Sequence, residues 1–166
     1  MIPAPIPDNE DARLKALRDL LVLDTPAEER YNSIVEFAAA EFNVPMVLIS
    51  LVDNDRQWFK AEVGIGARET PLATSICSHV ILSADFVEIN DTHKDPRTAD
   101  NELCMPADGL RFYAGALLET QNGLPIGTVC VLDHTPRPDG LSARQRFTLQ
   151  ALARQIMNQL ELRRAM

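Results

Sequence analysis

An Asn-Gly pair between two apolar runs restricts the fold of this chain more than any other sequence feature. Gln121, Asn122 and Gly123 separate the run Phe112–Glu119 from a second run, Pro125–Asp133. Asn-Gly between alternating apolar segments is the strongest short-range signal for a β-hairpin, because both residues tolerate the backbone angles of a tight turn. The chain must therefore contain antiparallel strands.

A second pair of strands is predicted earlier in the chain. Met46–Val52 is an almost continuous apolar run, as expected of a strand buried on both faces. Arg56–Val63 follows it after the turn-forming residues 53–55. Alternation along this second strand predicts one face made of Phe59, Ala61 and Val63 and an opposite face made of Trp58, Lys60 and Glu62.

Helical patterns stand at both ends of the chain. Asp8 is suited to cap a first helix. Residues 25–28, Thr-Pro-Ala-Glu, have the pattern of a capping box that opens a second helix. Ser142 and Gln145 form another capping box before the last helix, which has no Gly or Pro to end it. Its apolar stripe consists of Leu149, Leu152, Ala153, Ile156 and Leu160.

Between the two strand pairs the pattern weakens. Residues 67–111 are rich in Asp, Asn and Pro, with a short helix predicted at 74–82 and a short strand at Phe86–Ile89. A long irregular segment in a compact domain is usually functional or mobile. Terminal helices around paired strands predict an α+β fold with an antiparallel sheet.

Size and charge exclude several classes of function. A chain of 166 residues fits one domain, and 16 basic against 24 acidic residues give a net charge of −8. Such an acidic chain is poorly suited to bind nucleic acid or anionic lipid through its overall field. The longest apolar run is far shorter than the roughly 20 residues of a spanning helix, so no membrane insertion is predicted. With no signal-peptide pattern, we expect a cytoplasmic protein whose three cysteines are free thiols.

No motif of catalysis or metal binding is present in the sequence. It lacks a phosphate loop, Gly-x-Ser-x-Gly, His-Glu-x-x-His and Cys-x-x-Cys. We therefore predict no catalytic residues and no metal ligands, and the sequence identifies no cofactor. Cys77 and His79 stand two residues apart, a spacing at which helical side chains do not face each other. A buried Cys beside a polar His explains them better than a nucleophilic pair.

Two further clusters have both a structural and a functional interpretation. Asp91, Asp95, Arg97 and Asp100 form a charged loop. It is either a capped turn with a local ion pair, or a polar group in which Asp91 and Arg97 face a cavity. Phe112 and Tyr113 are neighbours in a predicted strand, so they face opposite sides of the sheet. Gly115 after them leaves space for close helix packing or for the floor of a cavity.

Seven segments, in order along residues 20 to 160, resemble one known family. They are LDTPAEERYN (23–32), VP (44–45) with SLVD (50–53), DRQWFK (55–60), SICSH (75–79), DTHKDPR (91–97), RFYAG (111–115) and GTVCVLD (127–133). The chain resembles the GAF domains at the N-termini of bacterial signalling proteins. The resemblance implies a domain over 21–166 after an N-terminal extension and helix at 1–20.

The resemblance also implies an architecture and a role. It implies a central antiparallel sheet of about six strands, terminal helices packed on one face, and an irregular crossover that covers a cavity on the other. GAF domains of this type sense a small molecule, pair through their terminal helices as homodimers, and regulate an output module such as a histidine kinase or diguanylate cyclase, in cis or in trans. On this reading the ligand-binding residues are Trp58, Cys77, His79, Asp91, Arg97, Phe112 and Tyr113.

Two departures and two alternatives accompany this interpretation. Ile76 and Thr98 stand where relatives usually have Phe, which removes two aromatic side chains from the expected cavity wall. Some GAF-like proteins reduce free methionine sulfoxide, and Cys77 with Cys104 could be the nucleophile and the resolving thiol of such an enzyme. A third possibility is a dimerisation domain whose cavity is filled by its own side chains.

Overall fold

The computed structural model describes residues 6–81 and 85–165. Four α-helices and six strands follow one another, with single turns of 3-10 helix at Leu72–Thr74 and Thr92–Lys94. The elements are α1 (Glu10–Asp19), α2 (Glu29–Phe42), β1 (Met46–Val52), β2 (Arg56–Val63), β3 (Glu69–Pro71), α3 (Cys77–Val80), β4 (Phe86–Ile89), β5 (Phe112–Glu119), β6 (Pro125–Asp133) and α4 (Ala143–Ala165).

The six strands form one antiparallel sheet in the order β3-β2-β1-β6-β5-β4. The predicted hairpin of β5 and β6 is confirmed. The Thr120 amide donates to the Leu124 carbonyl, which leaves three residues in the turn, and Gly123 takes a φ of +81° there. A left-handed glycine at the end of a three-residue loop is a common hairpin geometry.

The two faces of the sheet carry different layers, as the family resemblance implies. Helices α1, α2 and α4 pack on one face, where Leu17, Tyr31 and Ile156 are fully buried. The opposite face, with Phe59 and Tyr113, packs against α3. Among the residues that the structure describes, no helix has the length and apolar character needed to cross a membrane.

A β-bulge at Lys60 overturns the predicted faces of β2. Ile49 pairs with Ala61, but the next residue, Ser50, pairs with Phe59, so Lys60 is an extra residue opposite β1. Trp58, Lys60 and Ala61 consequently all lie toward the helices, while Phe59 lies on the other face. Strict alternation was wrong here because it cannot anticipate an inserted residue.

Helix starts were predicted with mixed success. Ser142 and Gln145 form the predicted capping box, each backbone amide bonded to the other side chain at 2.9 and 3.1 Å. Residues 25–28 do not cap α2, which begins at Glu29 with no side-chain cap. The segment 25–28 instead binds the Lys60 ammonium. At the start of α1, Asn9 and not the predicted Asp8 occupies the N-cap position.

The crossover 67–111 is more ordered than its composition predicts. Strand β4 is confirmed, and β3 adds a short edge strand beside β2. The helix predicted at 74–82 is reduced to α3, and residue 82 lies outside the described residues. Between β4 and β5 the chain forms turns that cover the face of the sheet opposite the terminal helices.

Candidate functional site

A cavity of about 370 Å³ lies between the sheet and the crossover. Its floor consists of side chains from the four central strands, among them Leu48, Phe59, Tyr113 and Leu132. Part of its cover comes from Cys77 at the start of α3 and from the turns around 103–110. This volume falls in the range of small-molecule sites in proteins.

Hydrogen bonds tie this cover to the sheet and to itself. The Ser75 hydroxyl, just before α3, donates to the side-chain oxygen of Gln57 on β2. The Asn101 side chain donates to the Thr74 carbonyl at 3.2 Å. The Thr92 hydroxyl donates to the Leu110 carbonyl at 2.6 Å. The crossover is therefore held over the cavity by specific polar contacts rather than by apolar packing alone.

The lining is mostly apolar and contains no Lys or Arg among the described residues. Its acidic and imidazole side chains are Asp108 and His134, and the His134 Nδ1 atom lies 3.1 Å from the Gly109 carbonyl oxygen. Gln57, Thr70 and Thr74 add neutral polar groups. A site of this character suits an apolar molecule oriented by a few hydrogen bonds, and its described residues offer no ammonium or guanidinium group to an anion.

A buried group of sulfur and hydroxyl side chains lies at one wall of the cavity. The Cys77 Sγ atom lies 3.9 Å from Cys130 Sγ and 3.4 Å from the Tyr113 hydroxyl, and the Thr128 hydroxyl donates to it at 3.1 Å. Hydrogen bonds from Cys130, Thr128 and Tyr113 lower the pKa of the Cys77 thiol, although burial raises it. Burial raises the pKa values of Cys130 and Tyr113 well above their usual ranges.

Of the seven predicted ligand-binding residues, Cys77 and Tyr113 line this cavity. Trp58 and Phe112 lie on the other face of the sheet, within the helix-side core. There the Arg68 guanidinium lies 5.3 Å from the Trp58 ring centre and that of Arg137 lies 5.3 Å from the Phe112 ring centre. The structure therefore does not bring Trp58 and Phe112 into the cavity.

The three polar candidates, which are His79, Asp91 and Arg97, lie in the crossover and are not among the described residues that line the cavity. Arg111 forms an ion pair with Asp91 at 3.0 Å. Arg97 donates two side-chain hydrogen bonds to the Asp95 carboxylate, at 3.0 and 2.8 Å. The hydrogen bond from Arg97 lowers the pKa of Asp95, and the charge of half-buried His79 adds to that effect. The local ion pair, one of the two interpretations of Arg97, is the arrangement observed.

Sequence reasoning missed most of the cavity wall. Leu48 and Leu132 were read only as parts of apolar strands, and Phe59 was assigned to the same face as Ala61. Strand register was the usable signal, because Leu48 pairs with Cys130 and Tyr113 pairs with Leu132 in the central strands. The proximity of Cys77 and Cys130, which are 53 residues apart, has no local sequence signal.

A second hollow, of about 390 Å³, lies on the helix side of the sheet between β5 and α4. Its lining includes Glu119, Gln150, Arg154 and Glu161, so it is a largely polar surface groove. An apolar cavity with a few convergent polar groups is the better candidate for a small-molecule site. The cavity under the crossover is therefore the candidate ligand site of this fold.

The sequence of this chain is similar to that of a known bacterial protein. The chain is 36% identical over 165 residues to the cyclic di-GMP phosphodiesterase PA2567 of Pseudomonas aeruginosa, a match that covers 99% of this chain. The chain spans 28% of the length of that relative. The whole relative therefore contains a large part that this chain does not represent.

Solved structures share the fold at low sequence identity. The GAF domain of a phosphoenolpyruvate-protein phosphotransferase from Acinetobacter has a TM-score of 0.66 at 18% identity, covering 93% of this chain and 96% of that domain. The free methionine-R-sulfoxide reductase of Neisseria meningitidis has a TM-score of 0.67 at 16% identity, covering 99% and 98%. The family model for the GAF domain matches residues 26–160. The chain therefore belongs to the GAF domain family.

Proposed function

We propose that this chain is the sensory part of a signalling protein and binds a small molecule in the cavity beneath its crossover. The cavity itself is the observation that carries the proposal, since about 370 Å³ of space remains where core side chains could have filled the fold. Membership of a family found in signalling proteins supports the same role.

The character of the lining specifies the ligand class. Leu48, Phe59 and Leu132 offer apolar contacts, and Gln57 with Thr70 offers neutral hydrogen-bonding groups. An anionic ligand would lose its hydration without gaining a Lys or Arg partner among the described lining residues. We therefore expect a compact, mainly apolar and uncharged molecule rather than a nucleotide or a free phosphate.

A chain of contacts leads from the cavity floor to the last helix. Phe59 lines the cavity, and the next residue, Lys60, places its Nζ atom 2.6 Å from Glu28 on the opposite face. Glu28 also binds Arg163, near the end of α4, at 2.8 Å. A ligand that favours one arrangement of Phe59 would shift these helix contacts by its difference in affinity for the two arrangements.

The proposed output is the turnover of a cyclic dinucleotide. This part of the proposal rests on the Pseudomonas relative, whose name describes a cyclic di-GMP phosphodiesterase and of which this chain spans 28%. In that arrangement the chain is the regulatory segment, and the catalytic residues lie in the remainder of the protein. The test is to add the cavity ligand to the protein that contains both this chain and the catalytic remainder, and to measure whether the rate of cyclic di-GMP hydrolysis changes.

Thermal denaturation with a compound panel tests ligand binding. The panel contains uncharged aromatic and aliphatic compounds and, separately, nucleotides and organic anions. A ligand at a hundred times its Kd stabilises by about 2.7 kcal/mol, which corresponds to roughly 5 to 10 °C for a domain of this size. We expect such shifts from uncharged compounds, and a panel without any stabilising compound would contradict the proposal.

A matched pair of variants locates the binding. Leu132→Phe adds an aromatic ring to the cavity wall, whereas Leu162→Phe makes the same change on an exposed residue of α4. The shift should vanish in the first variant and persist in the second. Equal shifts in both would place the compound elsewhere on the protein.

A homodimer through the terminal helices remains part of the proposal. A substitution on the apolar stripe of α4, such as Ile156→Asp, would not test the dimer, because Ile156 is fully buried against the sheet and the change would disrupt the core. Phe37 on α2 and Phe147 on α4 are the exposed aromatic side chains of this surface, at 50% and 66% exposure, and line one groove. Replacing both with Ser should convert a dimer to a monomer in sedimentation, whereas wild-type protein that is already monomeric would contradict the proposal.

The reductase alternative requires chemistry between Cys77 and Cys104. Cys104 is fully buried, and burial raises the pKa of its thiol, which disfavours the reactive thiolate. The sulfur in contact with Cys77 is that of Cys130 instead. Turnover of free methionine sulfoxide that is lost in Cys104→Ser would favour this alternative, and turnover that survives the substitution would exclude the pairing.

A further inference from the structure

Two cysteines from distant parts of the chain meet beneath the crossover. Cys77 is the first residue of α3, and Cys130 lies in the middle of β6. Their Sγ atoms are 3.9 Å apart, and both residues are buried. A disulfide needs a separation of about 2.05 Å. A shift of roughly 2 Å would therefore join them, and α3, which carries Cys77, has a single turn.

The two thiols differ in access. Cys77 lines the cavity and keeps 2% of its surface exposed, so the cavity is the route by which a molecule as small as hydrogen peroxide would approach its sulfur. Cys130 has no exposed surface and is not among the described lining residues. This difference assigns separate roles to the two sulfurs: Cys77 meets the oxidant, and Cys130 meets only Cys77.

The surroundings of Cys77 favour its reactive form. The Thr128 hydroxyl donates to its sulfur at 3.1 Å, and the Tyr113 hydroxyl lies 3.4 Å away. Such donors stabilise a thiolate, the nucleophile in thiol oxidation. They lower the pKa of Cys77, while burial raises that of Cys130. The hydrogen-bond contacts and the pKa shifts of the two thiols therefore agree in making Cys77 the residue that reacts with the oxidant and Cys130 the residue that reacts with Cys77.

We propose that Cys77 and Cys130 form a redox-modification site that a hydroperoxide converts to an intramolecular disulfide. In the first step the Cys77 thiolate attacks the peroxide, the O–O bond breaks, and sulfenic acid and alkoxide or hydroxide form. In the second step Cys130 sulfur attacks Cys77 sulfur, the S–S bond forms, the S–O bond breaks, and water leaves with the Cys130 proton. Two thiols are oxidised and one peroxide is reduced.

This modification is separate from ligand sensing and requires no ligand. Its structural effect falls on the cavity, because Cys77 belongs to the cavity wall and to α3. Moving α3 toward β6 by roughly 2 Å would narrow the space above Tyr113. Peroxide would therefore act as a second input on the same fold.

Peptide mapping of the oxidised full chain tests the proposal. Reduced protein is treated with hydrogen peroxide, quenched with catalase, denatured in acid and labelled with a maleimide. The three cysteines fall in different tryptic peptides, because Lys94 and Arg111 separate them. We expect the label to be lost from Cys77 and Cys130 together, with the two peptides linked, and retained on Cys104. Label loss centred on Cys104, or full labelling of all three thiols, would overturn the proposal.

Variants separate the two steps. Cys104→Ser should form the same disulfide at the wild-type rate. Cys130→Ser, or Cys130→Ala if the first does not fold, should accumulate a sulfenic acid at Cys77 that dimedone traps. Thr128→Val should oxidise about fivefold more slowly, the factor expected for one lost hydrogen bond. Dimedone trapping on Cys130 in a Cys77→Ser variant would reverse the assigned roles and contradict the mechanism.

Discussion

The ion pair of Lys60 and Glu28 should respond very differently to the loss of either partner. The Lys60 side chain is fully buried, and its Nζ atom lies 2.8 Å from the Thr25 hydroxyl, 2.7 Å from the Pro26 carbonyl oxygen and 2.6 Å from Glu28. Glu28 is 29% exposed and has Arg163 as a second basic partner at 2.8 Å. The Lys60 charge therefore depends on Glu28, whereas the Glu28 charge also has Arg163 and solvent.

The expected magnitudes follow from this asymmetry. Glu28→Ala leaves a buried ammonium without a counter-charge, which costs about 3–5 kcal/mol. In the wild-type protein the Lys60 Nζ atom lies 5.3 Å from the centre of the Tyr31 ring, and Lys60→Met keeps an apolar chain over that ring. Glu28 then retains Arg163 and solvent as partners. The remaining cost is about 1–2 kcal/mol for acceptors that lose their donor. Glu28→Ala should thus be the more harmful change by about 2 kcal/mol.

Urea denaturation at neutral pH measures both free energies of unfolding. The double variant provides the internal control, since removing Lys60 also removes the unpaired charge that Glu28→Ala creates. We expect the double variant to be more stable than Glu28→Ala by about 1 kcal/mol or more. Equal costs for the two single variants, or a double variant whose cost is their sum, would refute the reasoning.

Three further predictions follow from individual contacts. The hydrogen bond from Lys60 lowers the pKa of Glu28 in the folded protein. The stabilisation that ionised Glu28 contributes is therefore complete above about pH 4.5 and is lost as the pH falls through the lower folded pKa. The urea midpoints of wild type and Glu28→Ala should converge at that low pH. Gly127→Ala should destabilise by about 1–3 kcal/mol in the same assay, because a Cβ would overlap the Ser50 carbonyl oxygen. Under native conditions near neutral pH, a small alkylating agent should modify Cys77 before Cys130, measured by mass spectrometry, because hydrogen bonds lower the pKa of Cys77 and burial raises that of Cys130.

Local patterns predicted the architecture because they reflect local physics. The Asn-Gly turn, the apolar run of β1 and the Ser142 capping box each act over a few residues, and each is present. The bulge at Lys60 was missed because a ladder of hydrogen bonds, not side-chain polarity, decides where an extra residue fits. The segment 25–28 was misread because its polar groups serve Lys60, which is distant in sequence.

The site was less predictable than the fold. Of the residues predicted for the site, Cys77 and Tyr113 line the cavity, whereas Trp58 and Phe112 lie on the helix side of the sheet. Adjacent strand residues must face opposite sides, but the sequence does not state which side carries the cavity. The absence of Lys and Arg from the described lining emerges only when four strands and the crossover are assembled.

A crystal structure with the most strongly stabilising compound of the panel is the most direct test of the cavity as a receptor site. We predict density for the compound between the sheet and the crossover, in contact with Phe59 and Leu132 and within reach of Gln57. A cavity closed by its own side chains, with the compound bound instead in the groove of Phe37 and Phe147, would contradict the central claim.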